Sequence, residues 1–321
     1  MSTSRIFKEL IFAEIDKVMS NLYGSDTIIT NYRLMKGGLF NTTFFVKTDS
    51  DSNGNVLRVA PINQHLLFDF EKSMMSAEPL FFKMMREKNI PTSKVIIYDN
   101  SFNIIDREYI IFEYIKSVPM NDISVPNDVK PLLYQRVGQI VSLMHEIKTN
   151  KFGWKRPDNE HEIYDNWGKF LNRFAKEIAD KSSNYCVFND NELSRFVDIF
   201  NDTTTFNQVI QACMVHTDLW EGNILVRENN GKWEVAAIID VDRAIFGDKN
   251  MEFASPWMIN DDFLSGYGCK LDNSPDLIFR RNAYKLLGSF FGAYVWLVQY
   301  DNKDAYESEK QSALTVLNYF A

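Results

Sequence analysis

The run Val215-His216-Thr217-Asp218-Leu219-Trp220-Glu221-Gly222-Asn223-Ile224-Leu225-Val226 carries an aspartate and then an asparagine. It is followed by Ile238-Ile239-Asp240-Val241-Asp242, where an aspartate stands directly behind apolar residues. Phosphoryl transfer needs a carboxylate beside the attacking hydroxyl, an amide oxygen on Mg²⁺, and a second carboxylate bridging that metal to the phosphates. Asp218, Asn223 and Asp240 are of these types, in the chain order such a site uses. An isolated His-x-Asp means little, because each residue can equally cap a helix or tie a loop. The joint pattern is what points to phosphoryl chemistry.

These side chains need a scaffold, and the flanking sequence supplies two kinds. Residues 32–60 have strand character: Tyr32-Arg33-Leu34-Met35, then Lys36-Gly37-Gly38, then Thr42-Thr43-Phe44-Phe45-Val46, a turn at 49–55, and Val56-Leu57-Arg58-Val59-Ala60. The Gly-Gly pair reads as a hairpin turn or as a loop closing over phosphates, with Gly38, Asn41 and Thr42 offering donors. Residues 68–88 read as helical with a restart at Pro79, and 95–98 and 109–113 as short strands.

From Val129 onward the period changes. Leu133, Val137, Ile140, Val141 and Met144 form an apolar stripe at helical spacing; residues 167–179 and 193–200 repeat the pattern, and 277–299 is expected to close the chain as a long buried helix. The junction falls after Ile111-Phe112-Glu113-Tyr114-Ile115, dividing the chain into residues 1–115 and 116–321.

Composition narrows the classes. With 321 residues, 45% hydrophobic and 24% charged, the chain is of ordinary globular make-up and long enough for two lobes. Cys186, Cys213 and Cys269 are widely spaced and form no CxxC, which fits a reducing cytoplasm and gives no zinc or disulfide pattern. The residues around Arg5–Asp16 read as an amphipathic helix rather than a signal peptide. The apolar run 286–300, 15 residues long, falls short of a bilayer span, so no membrane segment is expected. The net charge of −8 is uneven: residues 1–115 hold 13 Lys and Arg against 14 Asp and Glu, and the remainder holds 22 against 29. An acidic second part argues against nucleic acid as a partner. It suits a cationic small molecule, and equally a solvated acidic surface.

Taken together, His216–Val226, Ile238–Glu252, Phe152-Gly153-Trp154, the spacing from Ala77-Glu78 to Ile90-Pro91, and Phe263–Tyr267 resemble the aminoglycoside phosphotransferase and choline kinase-like family of small-molecule kinases. The resemblance covers nearly the whole chain. It implies an α+β, protein-kinase-like two-lobed fold, with a small β-rich N-terminal lobe carrying one main helix and a larger, mostly helical C-terminal lobe. It also implies ATP or GTP with Mg²⁺ as cofactors, and a small hydroxylated acceptor: an aminoglycoside-type antibiotic, or a metabolite such as choline, an amino alcohol or a sugar.

By the same resemblance Asp218 is the catalytic base, and Asn223 and Asp240 hold the metal. Val56, Phe112, Glu113, Ile115, Leu225 and Ile239 would line the adenine slot. Asp242 is a candidate second partner near the metal, and Asp248 a loop anchor. Glu221, Asp261 and Asp262 are candidate contacts for substrate ammonium groups, although an acidic pair such as Asp261-Asp262 also suits a helix N-terminus. Two departures stand out. Arg58, with Glu78 as partner, occupies the place of the family's lysine, and Thr217 the place of its glycine. Arginine keeps the charge but brings a planar fork, and a β-branched residue narrows the backbone choices beside Asp218. A chain that binds nucleotide without turnover is the rival from outside the enzymes. A protein kinase is disfavoured by the lack of G-x-G-x-x-G, D-F-G and A-P-E together.

Overall fold

The computed structural model describes residues 4–35, 38–157, 163–201, 203–255 and 257–320. The first part of the chain builds helix α1 (Phe12–Tyr23), strands β1 (Ile29–Leu34), β2 (Thr42–Thr48) and β3 (Asn55–Val59), helix α2 (Glu78–Glu87), and strands β4 (Val95–Asp99) and β5 (Tyr109–Glu113). The strands form one antiparallel sheet in the order β1-β2-β3-β5-β4. Period-two alternation sorts its faces. Phe44, Val46, Leu57 and Val59 point to one side, where they meet Ile15, Val18 and Met19 of α1 in a core of their own. Val56 and Arg58 lie on the opposite face, toward the rest of the molecule. The helical stretch expected over 68–88 is two short 3₁₀ turns, Phe70–Lys72 and Met74–Ala77, before α2, which carries Pro79 in its first turn. Lys36 and Gly37 of the glycine turn lie outside the described residues.

After Glu113 the chain runs through Tyr114–Ser117 into the second part. There follow β6 (Val118–Pro119), α3 (Lys130–Met144), the short strands β7 (Lys148–Thr149), β8 (Phe152–Gly153) and β9 (Ile163–Tyr164), α4 (Trp167–Asn184), α5 (Asp190–Asn201), β10 (Ala212–Val215), β11 (Ile224–Asn229), β12 (Lys232–Ile238), β13 (Ile245–Gly247), α6 (Asp261–Tyr267), α7 (Pro275–Tyr294) and α8 (Lys303–Leu317). The expectation that residues 277–299 close the chain is corrected by α8. Its exposed faces are strongly charged, while Tyr306, Ala313, Val316 and Leu317 pack it against the core. The end of α7 widens into a π-turn over Val295–Gln299. The result is an α+β, protein-kinase-like fold of a sheet lobe and a helical lobe. Among the described residues, no helix is long and apolar enough to cross a membrane.

Two features fix the helical lobe. Aromatic rings of Phe70, Trp154, Trp167, Phe170 and Phe174 stack and edge onto one another, with Phe70 and Trp154 nearly parallel at 4.1 Å. Hairpin β11–β12 is sewn to the sheet lobe by the Ile238 amide, which donates to the Pro91 carbonyl at 3.0 Å. That link fixes the end of β12 just ahead of Asp240.

Trp167 is fully buried, and its indole N–H donates to the Tyr284 hydroxyl at 2.8 Å. Trp167→Ala is expected to destabilise the fold by about 3–5 kcal/mol. Urea unfolding followed by circular dichroism checks this, with the midpoint falling and the slope preserved.

Candidate active site

Asp218 lies in the loop between β10 and β11, whose geometry is set by its neighbours. The Asp218 amide donates to His216 Nδ1 at 3.3 Å, so Nδ1 is an acceptor and Nε2 carries the proton to the Ile239 carbonyl at 2.9 Å. The buried His216 ring therefore spans from the loop to the residue before Asp240. Its own amide donates to Glu252 Oε2 at 2.7 Å. Burial alone would raise the Glu252 carboxyl, but the His145 ring, 3.8 Å away, the His216 ring and the bond from the His216 amide hold it below the usual range.

Thr217 takes φ +66°, a region β-branched residues seldom visit. Its hydroxyl donates to the Arg243 carbonyl at 3.0 Å, a bond that helps hold the loop in this shape. The sequence departure is thus real strain, stabilised locally. Asp240 is also left-handed, at φ 58° and ψ 50°.

Asn223, buried, donates its amide nitrogen to the Asp218 carbonyl at 2.8 Å and to Asp218 Oδ2 at 3.2 Å. With that nitrogen committed, the amide oxygen is the atom left for a cation. The Ile239 amide donates to the Asn223 carbonyl at 3.0 Å, so the loop, the asparagine and the strand leading to Asp240 form one bonded unit. Asp218 keeps an exposed edge but is walled by protein on its other sides. That burial raises its carboxyl, with Arg243 opposing the rise and Asp240 and Asp242 adding to it.

Arg58 binds this unit to the sheet lobe. Its Nη1 lies 2.6 Å from Glu78 Oε1 and 2.9 Å from Asp240 Oδ1, and its Nη2 lies 2.9 Å from Asp242 Oδ2. Asp242 Oδ2 also accepts from Asn41 Nδ2 at 3.2 Å. Burial raises Glu78, whereas Arg58 pulls it back and Asp242 and Asp240 push it up again.

Of the expected nucleotide contacts, the structure brings Arg58, its partner Glu78 and Asn41 to Asp240 and Asp242. Val56 and Phe112 are paired across β3 and β5 on the same side of the sheet as Arg58. Leu225 pairs with Ala237, and both it and Ile239 are half-buried. Glu113 is exposed, with its carboxylate on Lys94 at 2.6 Å, and the Ile115 carbonyl accepts from Ser117. Gly38 is exposed; a Cβ there would meet the Asn41 carbonyl at 3.2 Å. Thr42 is not brought to the cleft. It is fully buried on the face turned toward α1, donating to the Lys8 carbonyl at 2.8 Å.

The candidate substrate carboxylates are also placed. Glu221 accepts from Tyr134 at 2.6 Å and from Lys130 at 3.0 and 3.1 Å. Asp261 and Asp262 occupy the first turn of α6 behind the Asn260 cap. Asp248 takes the anchoring position: it accepts from the Asn250 amide and, at 2.8 Å, from Tyr284.

Sequence reasoning missed Arg243, Glu71 and Tyr300. Arg243 stands directly after Asp242, which was its only local signal. Its Nη2 lies 3.6 Å from Glu71 Oε1, and its guanidinium faces the Phe40 and Phe291 rings. The π-turn after α7 delivers Gln299 to Glu71, at 2.6 Å, and the buried Tyr300 to the vicinity of Arg243 and Asp218. π-Turns often mark such positions.

The oxygen set of Asn223 and Asp240 fits a hard cation that keeps part of its water shell. Around it the carboxyls of Glu71, Glu78, Asp218, Asp240 and Asp242 face Arg58 and Arg243, and burial raises those of Glu71, Glu78 and Asp218. Among the described residues no three His, Cys, Asp or Glu side chains form a cage of their own.

A two-lobed kinase fold with this constellation in the crevice is the frame of a small-molecule kinase. The model of the phosphotransferase enzyme family matches residues 31–268, and the chain belongs to that family. No curated protein matches it in sequence. A thermostable mutant of aminoglycoside phosphotransferase APH(4)-Ia, in ternary complex with AMP-PNP and hygromycin B, is similar at a TM-score of 0.68 and 19% identity, over 96% of this chain and 99% of that one. A candidate fructosamine-3-kinase from Haemophilus somnus 129PT gives 0.67 and 15%, over 94% and 96%. The GDP and kanamycin complex of APH(2")-IIia gives 0.62 and 11%, over 94% and 98%. At such identities these likenesses show the shared fold.

If Asp218 is the base, Asp218→Asn is expected to lower kcat by about 10²–10⁴ while nucleotide affinity holds. Because burial raises its carboxyl and only the ionised form accepts a proton, the acidic limb of the wild-type rate profile is expected above the ordinary aspartate value of about 3.9. Steady-state kinetics against pH check both points.

Proposed function

We propose that this protein is an ATP- or GTP-dependent O-phosphotransferase that phosphorylates a small hydroxylated, cationic molecule, of the aminoglycoside kind or similar. The observation that carries the reading is the bonded unit of Asp218, Asn223 and Asp240, held against the sheet lobe by Arg58. Asp218 would receive or orient the proton of the acceptor hydroxyl, its orientation fixed by Asn223 and by the His216-supported loop. Bound at Asn223 and Asp240, Mg²⁺ would supply charge neutralisation for the phosphates. Arg58 would meet phosphate oxygens from the sheet side, with Glu78 keeping its fork in place. Val56 and Phe112 above, with Leu225 and Ile239 below, would offer the apolar slot for the base.

Support for a cationic acceptor comes from the acidic second part of the chain and from the hygromycin B and kanamycin held by two proteins of the same fold. One observation favours a second acceptor class. Glu221 is already neutralised by Lys130, and Arg243 adds a positive charge beside Asp218, so a sugar or other metabolite with fewer ammonium groups is also accommodated. The cytoplasm, where nucleotide is plentiful, suits either acceptor.

The test is nucleotide consumption by purified protein, in the presence of Mg²⁺, against aminoglycosides, choline, amino alcohols and sugars. Turnover with an amino-bearing acceptor and little with neutral sugars is the expected result. Turnover confined to sugars selects the second class. Tight nucleotide binding without transfer to any acceptor would identify a non-catalytic nucleotide binder and overturn the enzyme reading.

A further inference from the structure

Ahead of α1, residues 4–10 run from one lobe to the other. On the helical lobe the Gln299 carbonyl accepts from the Arg5 amide at 2.8 Å and from the Ser4 hydroxyl at 3.4 Å, and the Arg5 guanidinium pairs with Asp301. On the sheet lobe the Arg5 carbonyl accepts from Asn63 Nδ2 at 2.5 Å, and the Ile6 carbonyl from the Ile62 amide at 2.9 Å. Further along, the Lys8 carbonyl accepts from the Thr42 hydroxyl at 2.8 Å and from Arg107 Nη1 at 2.9 Å. Two apolar side chains of this stretch are buried in different cores. Ile6, fully buried, joins the large core that holds Leu66, Tyr294 and most of the helical lobe; Leu10 joins the smaller one between the sheet and α1.

The strand register shows which end of the crevice this is. Asn55 pairs with Glu113, next to the connecting segment Tyr114–Ser117, whereas Val59 pairs with Tyr109 at the opposite end of the sheet. Ile62 and Asn63 follow Val59, so the stretch meets the sheet lobe at the end remote from that connection. Two bodies joined through one short segment can swing about it, and a second tie at the far end restrains the swing. Residues 66–70 do not supply that tie by themselves. Phe68 and Phe70 pack among the rings of Trp154 and Phe174, so they belong with the helical lobe. Between them and the sheet stands Asn63, in left-handed backbone at φ 56°, and Ile62 and Asn63 are where the stretch attaches. The Arg58 ion pairs also cross the crevice, but phosphates and a metal would compete for those same groups. Residues 4–10 draw on none of them.

We propose that residues 4–10 form a strap that holds the crevice shut at its far end, and that the strap must leave Gln299 and Asp301 before nucleotide exchanges. The second half of this statement rests on the phosphotransfer reading; the first does not. The outer anchor suits a reversible latch. The Arg5 and Asp301 side chains are 45% and 44% exposed, and an ion pair so open to water contributes little and weakens with salt. The inner anchors, Leu10 in the sheet-lobe core and the two bonds to the Lys8 carbonyl, stay with the sheet when the outer end lets go.

The test uses full-length protein with Cys186 and Cys269 replaced by serine and nitroxide spin labels on Ser101→Cys, in the β4–β5 loop, and Glu307→Cys, on α8, both exposed positions. Label-to-label distances are measured by pulsed electron paramagnetic resonance, and release of mant-ADP by stopped-flow fluorescence of the unlabelled proteins. Arg5→Glu with Ile6→Ala undoes the outer anchor and the buried peg, and Arg5→Lys keeps the charge. Asn63→Asp removes the donor to the Arg5 carbonyl with a residue that still tolerates left-handed backbone. Support consists of longer distances in Arg5→Glu/Ile6→Ala and in Asn63→Asp, wild-type distances in Arg5→Lys, and mant-ADP leaving the first two about fivefold faster or more. Wild-type distances in both strap variants overturn the proposal, as do longer distances with unchanged mant-ADP release. If the wild type binds no mant-ADP, the phosphotransfer reading fails, and the distances alone decide whether the strap holds the lobes together.

Discussion

One guanidinium joins the two lobes at the site. Arg58 rises from the third strand and meets three carboxylates at once: Glu78 on the helix of its own lobe, and Asp240 and Asp242 from the other. Buried charges are tolerated only in company, and removing one partner from such a set costs far more than the set itself contributes. An ammonium is a compact point charge, whereas the planar fork reaches carboxylates on both sides without moving. The lysine-to-arginine departure is therefore consistent with a cluster in which Asp240 and Asp242 are held by the sheet lobe.

The rest of the site is built to keep those aspartates where Arg58 finds them. Two residues in left-handed backbone, Thr217 and Asp240, lie in this cluster, the first directly before Asp218. Strain of this kind persists when the surroundings over-determine it. Here the surroundings are the Thr217 hydroxyl on Arg243, the His216 ring between loop and strand, and Glu252 beneath. The Pro91–Ile238 bond fixes the same strand from the sheet side. Each tie is modest; their common target is the few residues from 216 to 243.

Much of this was legible in the sequence because it is local. The period-3.6 stripe over 133–144 became α3, and the β-branched runs became β2 and β3. The His216–Asn223 and Ile239–Asp240 segments lie together. What escaped was non-local or irregular. Asn41 meets Asp242 across 201 residues, and Gln299 meets Glu71 across 228. No spacing rule anticipates such pairs. Thr42 looked like a phosphate donor from its neighbourhood, but strand alternation turns it to the opposite face. Glu221 looked free to meet a cation until the fold brought Lys130 and Tyr134 to it. Helix α8 was hidden by its charge, since its buried positions are few and widely spaced.

The central claim is that Asp240 is the carboxylate through which a divalent ion and the nucleotide are held. Nucleotide affinity measured calorimetrically with and without Mg²⁺, in the wild type and in Asp240→Ala, tests it most directly. The account predicts that Mg²⁺ strengthens binding in the wild type and that this strengthening is lost in the variant, while the metal-free affinity changes little. An undiminished Mg²⁺ effect in Asp240→Ala would contradict it.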